Sequence, residues 1–351
     1  MNIPKNIKNK LFKTIAIDLG TANIRVLVKG SDKIINEPCI VAINKSTGRV
    51  IAVGSEARQM VGRTPSNITA IQPLKNGVIS DFDSTQSLIS HYLNKVRTES
   101  KIIGKLSWFT VIIAVPSLIS EVEIKAVVDS SKTAGAKKIY IVEEPIAASV
   151  GSGIKIADAR GSMIVDIGGG TTDIAIISLG SIVVDNTVRV AGDSMDKAIQ
   201  EYIKSKYNFL IGLKVAEDLK KKIGNAISEK SSEKVEIKGQ DLINGLPKSI
   251  SIYSIEVTEA LSPILVNILN AIKEAIEKAP PEIISDLIDN GIHLTGGGAL
   301  IKNLDKFLSK ELRLPVIVPN DPILSVTNGL KLILNDSKLL ESVQFKDYIL
   351  R

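Results

Sequence analysis

Two short stretches place an aspartate at the end of an apolar run, with glycine directly after it. Thr14 to Lys29 reads TIAIDLGTANIRVLVK and Ser162 to Ser178 reads SMIVDIGGGTTDIAIIS. Each pattern predicts a β-hairpin: an apolar strand, a tight tip of small polar residues, and a second apolar strand. Backbone N–H groups at such a tip cradle phosphate oxygens, and glycine lets the ligand come close. In the first copy these groups belong to Gly20, Thr21, Ala22 and Asn23. Asp18 stands where strand meets tip. A carboxylate there repels phosphate unless a divalent cation lies between. Mg²⁺ commonly keeps its waters and uses one or two carboxylates together with phosphates. Asp18 therefore reads as a Mg²⁺ ligand acting through water; the other reading is a turn aspartate bonded to its own backbone. In the second copy Asp166 precedes Gly168, Gly169, Gly170, Thr171 and Thr172. Three glycines at a tip sacrifice backbone stability, which makes sense where something approaches closely. Asp166 takes the same water-mediated role, and the two tips together predict a clamp on a polyphosphate and its metal. The alternative is a pair of unrelated hairpins.

A third glycine turn, Gly296, Gly297, Gly298 and Ala299 in TGGGAL, joins a strand to a helix. Glycines here let a flat base or ribose lie against the backbone, and a helix N-terminus favours negative charge. The spacing is neither G-x-G-x-x-G nor the P-loop pattern. Glu143-Glu144-Pro145 follows a buried strand and opens a helical run. Acids at a helix N-terminus complement its dipole. The functional reading makes Glu144 the group that orients an attacking water, since positioning and electrostatics dominate phosphoryl transfer.

The elements that must carry these residues repeat. Asp18 and Asp166 lie 148 positions apart, a period that argues for two similar domains by duplication and not for a solenoid. Val111 to Val115 and Ile139 to Val142 read as buried strands. Ser120 to Glu123 reads as a capping box opening a helix to Gly135. Thr258 to Lys278 is a long amphipathic helix with Leu261, Ile264, Leu265, Ile268, Leu269 and Ile272 on one side, stopped by Pro280 and Pro281. Strands alternating with helices predict a mixed α/β sheet covered by helices. Residues 40–73 and 189–250 read as insertions.

With aromatics at 4%, the core must be built from Ile, Val, Leu and Ala. The single cysteine, Cys39, excludes an internal disulfide and a structural zinc site, and reads as a small buried residue in a reducing compartment. The net charge is +6, but the basic residues are spread, and the densest cluster, Lys220 to Lys222, sits in a helical pattern. There is no basic stripe with stacking groups, so nucleic acid is not expected as a partner; an anionic membrane surface fits better. No uncharged apolar run reaches bilayer length, and the N-terminal stretch lacks the apolar core of a signal peptide.

DLGTAN, VDIGGGTTD and LTGGGAL, with VEEPIAASVGSG and DPILSVTNGLKLI in their places, resemble the phosphate, adenosine and connecting motifs of the actin/heat-shock chaperone/sugar-kinase ATPase superfamily. NEPCIVAI, GRTPSNITAIQPLKNGVISDFD, KYNFLIG, LPKSI and APPEIISDLIDNGIHLTGGGAL resemble the MreB family, over nearly the whole chain. The resemblance implies an α/β, actin-like ATPase fold of two duplicated lobes. Each lobe has a mixed β-sheet flanked by helices and carries a small inserted subdomain. Subdomain IA would comprise 1–39, 74–151 and 328–351; IB, 40–73; IIA, 152–188 and 251–327; IIB, 189–250. ATP and Mg²⁺ are the implied cofactors. The implied nucleotide contacts are Gly20 to Asn23, Gly168 to Gly170, Gly192, Glu217, Lys220 and Gly296 to Ala299. Glu217 and Lys220, at i and i+3 on one helix face, would bracket ribose and base; without the resemblance they read equally well as a surface ion pair. Glu144 corresponds to the family's water-activating acid, Asp166 completes the catalytic set, and Thr171 lies beside the γ-phosphate. Two departures bear on hydrolysis: Asp173 stands where the family usually has Glu, and Ala191 where it usually has Gly.

The resemblance also implies polymerisation into paired protofilaments on the inner face of the cytoplasmic membrane, with family paralogues or membrane cell-shape proteins as further partners. For membrane contact the sequence offers Ile3, Ile7 and Leu11 among lysines, otherwise a frayed tail. It also offers the loop Lys101 to Phe109 with Ile102, Ile103 and Trp108, where the other reading has Trp108 packed under the loop. Competing readings are a small-molecule kinase of the same fold, a chaperone-type ATPase and a non-hydrolysing nucleotide-gated scaffold.

Overall fold

The computed structural model describes residues 12–75, 78–99, 108–228 and 233–349. The chain forms two units, Met1–Lys155 with Leu324–Arg351 (unit 1) and Ile156–Ile323 (unit 2).

Unit 1 opens with the first predicted hairpin, β1 (Phe12–Leu19) and β2 (Asn23–Val28), followed by β3 (Ile34–Pro38). A small antiparallel sheet follows: β4 (Val41–Asn44) between β5 (Val50–Val53) and β6 (Ile68–Ile71), with α1 (Ser55–Met60) beside it. Ile40, Ala42, Ala52 and Ala57 make its separate apolar cluster. After the short pair β7 (Leu74–Lys75) and β8 (Val78–Ile79) come α2 (Phe82–Glu99), β9 (Trp108–Val115), α3 (Glu121–Thr133), β10 (Ala136–Glu143) and α4 (Glu144–Gly151). The capping box at α3 forms as the sequence predicts: Ser120 N–H donates to Glu123 Oε2 at 3.0 Å and Glu123 N–H to Ser120 Oγ at 3.3 Å. The other oxygen, Glu123 Oε1, accepts from Ile79 N–H at 3.0 Å and so ties the cap to β8.

Unit 2 repeats the plan. The second hairpin is β11 (Ser162–Ile167) and β12 (Thr172–Ser178), followed by β13 (Ser181–Val188). Its inserted part holds α5 (Gly192–Tyr207), β14 (Phe209–Leu210), α6 (Leu213–Ile223), β15 (Lys234–Asp241) and β16 (Pro247–Tyr253). Then come α7 (Ser254–Glu277), α8 (Pro281–Asn290), β17 (Ile292–Thr295), a 3₁₀ turn (Gly297–Leu300), α9 (Leu304–Leu312) and β18 (Val316–Ile317). The chain then returns to unit 1 as α10 (Ser325–Asn335), α11 (Ser337–Val343) and β19 (Lys346–Ile349).

The duplication is visible strand by strand. Five strands of unit 1 run in the order β3-β2-β1-β9-β10, and the sheet of unit 2 runs β13-β12-β11-β17-β18. In both, the first three pair antiparallel and the last two join in parallel. The difference is β19, which pairs antiparallel with the outer edge of β10. The buried sides are Ile- and Val-rich as the composition requires, with Ile15, Ile17, Val111, Ile113 and Ile139 in one core and Val165, Ile174, Ile176, Ile268 and Leu294 in the other. Each such side chain, fully removed from water, contributes about 1.5–3 kcal/mol.

Two boundaries differ from the sequence reading. The helix expected from Thr258 begins at Ser254, because Glu256 Oε2 reaches back to accept from Tyr253 N–H at 2.9 Å and Ser254 Oγ donates to Ile223 O at 2.8 Å. This α7 is long and apolar enough to cross a membrane, yet Val257, Leu261, Leu265, Ile268 and Ile272 on its apolar side are buried in the core of unit 2. Trp108 and Phe109, read as loop residues, open β9, where Trp108 pairs in register with Phe12. The remaining membrane residues, Ile102 and Ile103, and the tail with Ile3, Ile7 and Leu11 lie outside the described residues.

Candidate functional site: two aspartate-tipped hairpins

In unit 1, Asp18 lies in β1 directly opposite Arg25 in β2. Opposed residues of an antiparallel pair share a face, so the guanidinium reaches the carboxylate: Arg25 Nη1 sits 3.0 Å from Asp18 Oδ2. Thr327 Oγ1, from α10, donates to the same oxygen at 2.9 Å. Asp18 is 3% exposed, so these partners offset the cost of burying its charge. The bonds are to side chains from another strand and a helix, which sets aside the self-bonded turn aspartate. Arg25 and Thr327 were missed in the sequence. The hairpin register carried the signal for Arg25: with a tip at 20–22, position 25 must face position 18. Thr327, 309 positions away, left none.

Asp18 and Glu144 are linked through one helix crossing. Glu144 is the first residue of α4, with Pro145 beside it at the position where a missing N–H costs nothing. Two glycines put α4 on the backbone of α10. A Cβ on Gly151 would lie 1.9 Å from Ser325 O, and one on Gly329 1.8 Å from Ala147 O. The helix that starts at Glu144 is thereby set against the helix that holds Asp18 through Thr327. The tip itself is tight: a Cβ on Gly20 would meet Asn23 O at 3.0 Å.

In unit 2, Asp166 of β11 faces Asp173 of β12 and Thr295 of β17. Gly168 N–H closes the tip on Thr171 O at 2.9 Å. The tip carbonyls are taken by the start of α5: Gly192 N–H donates to Gly168 O at 3.1 Å and Asp193 N–H to Gly169 O at 2.8 Å. Gly192 is close-packed, since a Cβ there would sit 3.2 Å from Gly168 O and 3.4 Å from Lys220 Nζ. Lys220 bonds Gly192 O at 2.9 Å and Asp196 Oδ1 at 2.8 Å. Burial pushes the Asp196 carboxyl up, against the pull of the Lys220 ammonium. Glu217, one turn earlier on α6, is instead held by Lys214 at 2.9 Å and by Lys221. Burial raises its carboxyl, but the ammonium bonds from Lys221 and Lys214 outweigh that and bring it down to about 2. Glu217 and Lys220 thus share a helix face but have different partners.

Thr171 and Asp173 are both buried. Asp173 Oδ2 accepts from Thr171 Oγ1 at 2.9 Å, and Oδ1 from Thr187 Oγ1 of β13 at 2.7 Å. Burial pushes the Asp173 carboxyl up; the two hydroxyl bonds oppose this, and the negative charge of Asp185 adds to it. The third glycine turn has a mixed cause. Gly296 has φ +81°, and its Cβ would lie 2.3 Å from Asp166 Oδ1, while a Cβ on Gly298 would strike Ile167 Cγ2 at 2.2 Å. Those two glycines answer to β11. Gly297 faces open space and is free to lie under a flat ligand.

Within each unit taken by itself, the tip residues are of the kind that hold phosphate and a hydrated metal. Gly20 and Gly168 stand in glycine-tight tips and Gly297 is open. Among the described residues no three His, Cys, Asp or Glu side chains converge as a direct metal cage. Single carboxylates beside glycine tips are the donor set for an ion that keeps its waters and leans on phosphate.

The family described as MreB/Mbl protein matches residues 12–342. Cell shape-determining protein Mbl of Bacillus subtilis is 44% identical over 324 residues, covering 92% of this chain and 96% of Mbl. The structure of MreB5 of Spiroplasma citri bound to ADP superposes with a TM-score of 0.87 at 37% identity, covering 95% of this chain and 99% of MreB5. That of MreB5 bound to AMPPNP gives 0.86 at 38%, covering 93% and 97%. The paired strand orders, the duplicated aspartate tips and these matches converge: the chain belongs to the MreB/Mbl family of actin-like proteins.

Proposed function

We propose that this protein is a Mg²⁺-dependent ATPase that polymerises into double protofilaments on the inner face of the cytoplasmic membrane. In that form it controls cell shape, or motility in a wall-less cell. The observation that carries the reading is the repeated hairpin on a repeated sheet, each copy ending in one aspartate and a glycine tip. Support for the nucleotide comes from MreB5, whose structures hold ADP and AMPPNP. Support for the cellular role comes from relatives named cell shape-determining proteins.

ATP is bound by Gly20 to Asn23, Gly168 to Gly170, Gly192, Glu217, Lys220 and Gly296 to Ala299. Asp18 and Asp166 hold Mg²⁺ through water, and the ion supplies neutralisation of phosphate charge. Glu144 orients the attacking water at the dipole-favoured start of α4, and Thr171 assists. Arg25 and Thr327 hold the buried Asp18 carboxylate aimed. On the membrane side, Trp108 is 42% exposed with Lys137 Nζ 5.8 Å from its ring centroid, an aromatic beside a cation suited to an anionic interface. Ile102 and Ile103 extend the same proposal.

Pelleting and light scattering with and without ATP–Mg²⁺, beside a phosphate-release assay, test the reading. Polymer and slow phosphate release are expected, with release lost in Glu144→Ala. Phosphate transfer to a sugar without polymer would favour the kinase, and polymer without release the scaffold.

A further inference from the structure

We propose that Asp173 is a positioning residue that turns the Thr171 hydroxyl into an obligate acceptor toward the attacking water. This rests on the reading that Thr171 lies beside the γ-phosphate.

Asp173 sits opposite Asp166 on one side and Thr187 on the other. Directly opposed residues project to the same face of the sheet, so the motif aspartate, Asp173 and Thr187 share one face beside the glycine tip. A threonine hydroxyl has one proton and two lone pairs. Thr171 gives its proton to Asp173 Oδ2. What remains for any ligand in front of Thr171 is a pair of lone pairs. A water bonded there donates a proton to Thr171 and turns an oxygen lone pair elsewhere, which is the orientation a nucleophilic water needs.

The carboxylate is itself fixed. Thr187 donates to Oδ1, so each oxygen is held by one hydroxyl and the group cannot spin about its last bond without breaking a buried bond. Asp173 is 5% exposed, and among the described residues the structure records no ammonium or guanidinium against it. A buried acid with two hydroxyl donors is an expensive way to pack a strand. Unit 1 shows the contrast, because the same hairpin position there is Arg25, which bonds the motif aspartate itself.

Asp173→Asn replaces one accepting oxygen by a donating nitrogen, so Thr171 or Thr187 must accept and redirect its proton. The expected result is phosphate release slowed about 10–100-fold, as for a mispositioned reacting group, with ATP–Mg²⁺ affinity changed less than about threefold. Asp173→Glu, which keeps both acceptors, should recover part of the rate. A second readout needs no nucleotide: methyl NMR of Thr171 should show one side-chain rotamer in the unmodified protein and averaging in D173N. If Thr171→Ala hydrolyses ATP normally, the reading of Thr171 fails and this inference with it. If Thr171→Ala is slow while folded D173N is normal in rate and rotamer, the inference alone is overturned. Should D173N not fold, Thr187→Val carries the test, because it frees one oxygen of Asp173. Slower release at unchanged ATP affinity supports the proposal, and an unchanged rate overturns it.

Discussion

Gly329→Ala is the sharpest probe of how Glu144 and Asp18 are held in common. On an isolated helix the change is favourable, since alanine exceeds glycine by roughly 0.8–1 kcal/mol. Here the new Cβ would lie 1.8 Å from Ala147 O and 2.6 Å from Ala147 C. Both atoms are main chain, so no side chain can swing away. Reaching a tolerable 3.0 Å parts the helices by roughly 1.2 Å, and a gap of about 0.5–1 Å already forfeits a quarter to a half of each dispersion contact. Overpacking of this kind costs about 1–3 kcal/mol, occasionally more. Set against the propensity gain, the expected net loss is about 1 kcal/mol, or roughly 2–4 °C in the melting temperature for a body of this size. The lost contacts involve the helices that carry Glu144 and Thr327, so affinity for ATP–Mg²⁺ should fall with stability. Lys331→Ala, on the exposed side of α10 with only a 3.5 Å pair to a fully exposed Asp32, should change stability by less than about 0.5 kcal/mol. Calorimetry and nucleotide titration on the two variants decide the matter. A Gly329→Ala protein that melts at or above the unmodified temperature would refute the backbone-to-backbone crossing.

Other outcomes follow from the same geometry. Arg25→Leu takes the guanidinium from an Asp18 carboxylate of 3% exposure, and should cost about 3 kcal/mol in chemical denaturation, mostly recovered in the double variant with Asp18→Asn; additive losses would contradict the pairing. Cys39 is fully buried, and burial pushes its thiol up to about 12. It should resist thiol reagents at pH 8 until the protein unfolds, and fast labelling of folded protein would be inconsistent with this. The Glu217 carboxyl, brought down to about 2 from its ordinary 4.5, supplies stability that is present above pH 4.5 and lost as pH falls toward 2. Glu217→Gln should flatten that limb of an acid melt, and an unchanged slope would argue against the Lys214 and Lys221 pairing.

Much of this was legible before any coordinates. The two hairpins, the Ser120 box and the apolar side of α7 were readable because each is a local pattern: alternation, capping spacing and 3.6 periodicity. Burial of Cys39 followed from its residue type, a lone small thiol. What escaped was non-local or two-sided. Nothing near Thr327 marks it as the partner of an aspartate 309 positions away. Asp173 read as a shortened glutamate because its partners, Thr171 and Thr187, come from the tip and the next strand. Gly296 and Gly298 read as ligand glycines, yet contact with β11 is reason enough for both. The start of α7 was missed because its signal, Glu256 reaching back to Tyr253, lies before the periodic stretch.

Unit 1 is drawn from two separated stretches, and that carries a consequence for synthesis on the ribosome. Unit 2 is one unbroken run, complete when residue 323 has emerged. At that moment the first hairpin already exists, but α10 does not, so Asp18 lacks Thr327 and α4 lacks the glycine it rests on. The nascent chain therefore carries a finished later body and an unfinished earlier one. The bond from Thr327 to Asp18 and the seat of α4 on Gly329 are withheld until α10 has emerged.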